Sequence, residues 1–141
     1  MLSIKIYAFI GQMILYSLLH SNEGTLFTIT VHINNIGSNK GQIICNLHIE
    51  AKTFPKKHIA RETSKIVDNS SMIVFRNIKK GEYAISVLHD ENMNGKIDFN
   101  IFHIPSENTG ASNNAKGFFG PPKYKDAKFN IDRDKTIFIN L

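Results

Sequence analysis

Residues 25–33 read TLFTITVHI, and their apolar side chains recur with a period of two. Phe27, Ile29, Val31 and Ile33 share one face, with Thr28, Thr30 and His32 on the other, the pattern of a half-buried β-strand. The following NNIGSNKG, residues 34–41, is a dense turn signal. A second alternating run places Ile43, Cys45, Leu47 and Ile49 on one face, so the single cysteine of the chain is expected in the core. One cysteine also excludes an internal disulfide framework.

The same grammar continues outward. Residues 51–62, with Pro55, read as a surface connection. Strands are expected at 63–68, 71–77, 83–88, 97–102, 127–131 and 136–141, with turns at Asp68-Asn69-Ser70 and Lys79-Lys80-Gly81. About seven short antiparallel strands without helical periodicity predict an all-β protein, a single β-sandwich. Phe75-x-x-Ile78-x-x-Gly81-x-Tyr83 resembles a hairpin of transthyretin-like and Cna-B-like sandwiches. It implies a positive-φ turn at Gly81 and a buried Tyr83 whose hydroxyl bonds to backbone.

Residues 1–21 differ from the rest. Lys5 precedes an apolar run, 6–19, that is too short for the roughly 20 residues of a membrane-spanning helix, and polar residues follow. This is the pattern of a secretory signal peptide, leaving a domain at 22–141 with no transmembrane segment and a periplasmic or secreted location. The 141-residue chain is 42% hydrophobic and 21% charged, with 17 basic and 12 acidic side chains, hence a formal charge of +5. Loss of Lys5 would make that +4 on about 120 residues. The basic residues lie scattered in sequence without interleaved aromatics, which argues against nucleic-acid binding.

The segment from His89 to Asp98, HDENMNGKID, carries the clearest chemical pattern. Counted from Asp90, oxygen side chains fall at positions 1, 3, 5 and 9 (Asp90, Asn92, Asn94, Asp98), with Gly95 at position 6 and the Lys96 carbonyl at position 7. Hard cations need six to eight oxygens, and this spacing turns alternate side chains toward one point, so a calcium loop is one expectation. Position 12 is Ile101 rather than a bidentate glutamate, so affinity would be modest, and a plain hairpin closed by Asn94-Gly95 is the competing one. His89 and His103 could meet across the hairpin near a carboxylate, the one arrangement suggesting a hydrolase. No motif sets a nucleophile beside a base.

From Gly41 to Leu141 the chain resembles the DUF2141 family of uncharacterised exported bacterial proteins. The resemblance rests on Gly41-Gln42, Gly81-x-Tyr83, His89-Asp90-Glu91-Asn92-x-Asn94-Gly95-Lys96 and Ile104-Pro105. It continues through Gly110-x-Ser112-Asn113-Asn114-Ala115-x-Gly117, Gly120-Pro121-Pro122 and Ala127-x-Phe129. It implies an exported immunoglobulin- or transthyretin-like sandwich and brings no activity with it. The stretch 110–122 is long for a connection without strand periodicity. Its Ser112, Asn113, Asn114, Phe118 and Phe119 form a candidate ligand loop for carbohydrate or peptide. A binding or structural module of the cell envelope, meeting an envelope protein or polysaccharide, is the expected role.

Overall fold

The computed structural model describes residues 24–118 and 120–141. Eight strands form two sheets among the described residues, a β-sandwich. They are β1 (Leu26–Asn34), β2 (Gln42–His48), β3 (Ala60–Ser64), β4 (Ser71–Lys79), β5 (Gly81–Asp90), β6 (Thr109–Ala111), β7 (Phe129–Ile131) and β8 (Lys135–Asn140). One sheet has the order β4-β1-β8; the other runs β3-β2-β5-β6, with β7 also paired to β5. All pairings are antiparallel except β1 with β8, which run parallel. The expected signal at 1–21 lies outside the described residues, and no described helix is long and apolar enough to cross a membrane.

Alternation builds the core as expected. Ile29, Val31 and Ile33 of β1 face Ile43, Cys45 and Leu47 of β2, with Phe75, Ile85, Val87 and Ile139 filling between them. Burial and then the negative field of Glu62 push the Cys45 thiol pKa up, so it stays protonated and inert. Ile44 is buried too, because the five-stranded sheet is covered on part of its outer face. There a one-turn helix, α1 (Tyr124–Ala127), packs with Ala84, Ala111 and Phe54 in a second small core. Tyr124 donates toward the carbonyls of Ile49 and Glu82, and its ring meets that of Phe54. His48 is buried beside them, bonding to the Lys57 carbonyl and to Ser86.

Several local expectations are corrected. Ile49 lies past the end of β2 and is half exposed. The third strand starts at Ala60, inside the stretch read as a connection, and ends at Ser64 before the Val67–Ser70 turn. Residues 97–102 are not a strand: a single bridge joins Phe99 to Pro105, and no neighbouring strand is available to bury the alternation. Asn100 instead gathers the amides of Phe102 and Ile104 on its side-chain oxygen, leaving Phe99, Ile101, Phe102 and Ile104 exposed.

Gly81 does not take a positive φ; that conformation falls on Asn77 instead, at 59°. Space is tight at 81 instead: an added Cβ would stand 3.2 Å from the Tyr83 ring, which would have to give by a few tenths of an ångström. Tyr83 is buried and its hydroxyl donates to the Lys79 carbonyl at 2.9 Å, closing the β4–β5 turn. Tyr83→Phe is expected to cost about 1 kcal/mol by removing that bond while keeping the ring. Urea unfolding should show a lower midpoint with an unchanged slope.

The registers sort the connections into two poles. Gln42 faces Asp90, so the turn before β2 and the long 91–108 excursion share one pole. Leu26 faces Lys79, His48 faces Ala84 and Gly81 faces Ile131. The 49–59 connection, the β4–β5 turn, α1 and the β7–β8 turn therefore share the other.

Candidate functional site

Asp90 ends β5 and is fully buried, opposite Gln42. Its Oδ2 accepts from the Gln42 side chain at 2.9 Å and from the Gly95 amide at 2.9 Å, while Oδ1 accepts from the Asn94 amide at 3.0 Å. The carboxylate thus bends the chain after β5 into a closed loop, and Gly95 (φ 76°) supplies the left-handed turn. Burial alone would raise the carboxyl's pKa. The Gln42 hydrogen bond and the amides of Gly95, Asn94 and Met93 outweigh it and hold the pKa below the usual carboxylate value.

The remaining ligand candidates meet at the loop's mouth. Asn92 accepts the Asn94 amide and Asn94 accepts the Lys96 amide, at 3.1 and 2.8 Å. The side-chain nitrogens of both asparagines converge on Asp98, with contacts of 2.6 Å from Asn92 and 3.0–3.1 Å from Asn94. Glu107, which sequence reading did not single out, clamps the base: its two oxygens accept the amides of Glu91 and Asp98 at 3.0 and 3.1 Å. Its only signal in the sequence is a carboxylate just after the Pro105-Ser106 return. Among the described residues, no three His, Cys, Asp or Glu side chains are grouped to hold a metal ion. A cation here would depend on amide and backbone oxygens.

Gly41 packs against this loop's root. Its φ is 73°, and an added Cβ would overlap the Asp90 carbonyl oxygen and stand 2.6 Å from the Glu91 Cα. Gly41 and Gln42 also line an open groove of about 510 Å³ that Met93, at the loop's tip, flanks.

The two histidines occupy different surroundings. His89 is fully buried with Nε2 donating to the Lys40 carbonyl, and its Nδ1 has no hydrogen-bond partner, with a Glu91 carboxylate oxygen 3.8 Å away. His103 sits exposed on the Asn100 turn with φ 60°.

The 110–122 stretch begins within β6 and continues through a 3-10 turn at Ser112–Asn114. Buried Ser112 bridges Ile85 and Ala127, accepting the Ile85 amide at 2.9 Å and donating to the Ala127 carbonyl. Asn113 donates to the carbonyls of Asp126 and Lys128, and Asn114 accepts the Asn140 amide. All three side chains stitch the loop to neighbouring segments. Phe118 is exposed, and Phe119 lies outside the described residues.

A family model described as "Uncharacterized protein conserved in bacteria (DUF2141)" matches residues 31–138. No curated protein and no solved structure matches the chain. The match spans the sandwich from β1 into β8 and includes the whole 90–107 loop, and on it the chain belongs to the DUF2141 family of bacterial proteins.

Proposed function

We propose that the protein is an exported module of the bacterial cell envelope, of immunoglobulin- or transthyretin-like type, whose 90–98 loop is held by calcium. The observation that carries this reading is the meeting of Asn92, Asn94 and Asp98 within 2.6–3.1 Å at the loop's mouth. Each asparagine oxygen accepts one backbone amide and retains a second lone pair. Calcium would displace the two amide nitrogens from Asp98 and take oxygens from Asn92, Asn94, Asp98 and the Lys96 carbonyl, with water completing the shell. Asp90, saturated by its own donors, serves as the organiser that bends the loop.

With one carboxylate in that set, affinity falls in the ~10⁻⁴–10⁻³ M range of extracellular modules. The role is binding or structural: the loop fixes Met93 on the edge of the groove beside Gly41 and Gln42. At calcium about five times Kd, linkage stabilises the fold by about 1 kcal/mol, a rise of roughly 4 °C in Tm over the chelated protein. Asp98→Asn should abolish that shift and leave the chelated Tm within a degree or two. An identical melt with calcium and with chelator would overturn the reading and leave the loop closed by amide–carboxylate bonds alone.

A further inference from the structure

The charge of this chain is scattered in sequence and gathered in space. Segments 49–58, 79–82 and 123–135 hold ten basic and five acidic side chains, whereas the other described residues hold six of each. The whole excess of positive charge therefore belongs to these three segments. They share one pole: Tyr124 ties the carbonyls of Ile49 and Glu82 together, Lys128 pairs with Glu82 at 2.9 Å, and Ile131 lies opposite Gly81. Lys56, Lys57, Lys80, Lys123 and Lys125 are all exposed there.

We propose that this pole docks on an anionic phospholipid surface. A gathered basic face fits a sheet of headgroup phosphates, each lysine near the surface contributing about 1 kcal/mol of attraction. The choice of a membrane over another polyanion rests on where the chain joins the fold. The apolar run at 6–19 leads into β1, and Leu26 stands opposite Lys79 at this same pole. Even fully extended, the seven steps from Leu19 to Leu26 span at most about 25 Å. While that run engages the membrane as a signal, before residues 1–21 are removed, the basic pole is held within that reach of the headgroups. The opposite pole, with Asp90, Glu91, Asp98 and Glu107, faces away.

The inference stands apart from calcium binding and is tested without it. The full chain would be sedimented with vesicles of phosphatidylcholine alone or with a third phosphatidylglycerol, at low and high salt. Binding to the anionic vesicles is expected to exceed that to neutral ones and to weaken with salt. The triple reversal K56E/K80E/K125E should weaken it at least tenfold, whereas K40E/K65E/K116E, outside the three segments, should leave it within twofold. All variants keep residues 1–21, so any contribution of that segment cancels. Equal binding to neutral vesicles, or equal loss in both triple variants, would overturn the proposal. So would tighter binding to a soluble acidic polysaccharide than to the anionic vesicles.

Discussion

Replacing Gly41 by alanine is expected to destabilise the protein by about 3–5 kcal/mol, lowering Tm by 12 °C or more. Two effects add at this position. A φ of 73° costs an L-residue about 1–2 kcal/mol by itself. The larger effect is steric, because the new methyl would overlap the Asp90 carbonyl oxygen and crowd the Glu91 backbone. The start of β2 must then move from the end of β5, and the Gln42–Asp90 bond moves with it. Gly95→Ala separates the two effects. Its φ is 76°, but nothing lies within 4 Å of the added Cβ, so only the conformational cost applies. Thermal melts of the two variants should differ by at least twofold in ΔTm. Equal losses would mean that β2 and the loop root do not approach this closely.

Removing the Asp90 carboxylate is the second large change. Asp90→Ala takes the acceptor away from the Gln42 side chain and from the amides of Asn94 and Gly95, all three in part-buried bonds. Unsatisfied donors cost about 1–3 kcal/mol each when no water reaches them; water reaches these part-buried ones in part, which brings the total to about 2–3 kcal/mol. The effect carries a pH signature. The folded pKa of Asp90 is depressed, so the stabilisation is present above the unfolded value near 4 and is lost as pH falls through the folded value. Urea unfolding at pH 7 and again near pH 3 should show wild type losing stability that the variant never had. The gap between the two proteins should narrow in acid. A constant gap would mean that the carboxylate's charge is not what the loop uses.

The sandwich was legible because its three-stranded sheet is half-buried: β1 and β8 each alternate, and burial on one face is what alternation encodes, whereas β2 and β5 bury residues of both faces. Residues 97–102 carry a similar alternation but have no strand beside them, and pairing is a property of the partner rather than of the segment. Gly81 differs in its reason: the sequence pattern points to a positive φ, whereas in the fold a ring packed overhead leaves little room for a side chain. The loop oxygens at 90, 92, 94 and 98 were readable from spacing. Glu107 was not, because it enters from beyond the loop and contributes by clamping amides. The asparagines at 113 and 114 show a further limit. Capping backbone and awaiting a ligand call for the same surface chemistry, and only the positive φ values of 59° and 50° reveal the stitched turn. The basic pole was invisible for a simpler reason, as its three segments lie far apart in sequence and meet only through the fold, by the strand registers, the Tyr124 bonds and the Lys128–Glu82 pair.

The parallel pairing of β1 with β8 has a kinetic consequence. Ile29 stands beside Lys135, a closure across more than a hundred residues that must form before the three-stranded sheet is complete. Loop closure of that length is slow, and the β1–β8 contacts gain nothing until it happens. As the chain is made, β1 waits with one side of its backbone unpaired until residues 135–140 are free to join it. The edge strand of the three-stranded sheet is accordingly the late arrival, docking on a β1–β4 pair that can form before it.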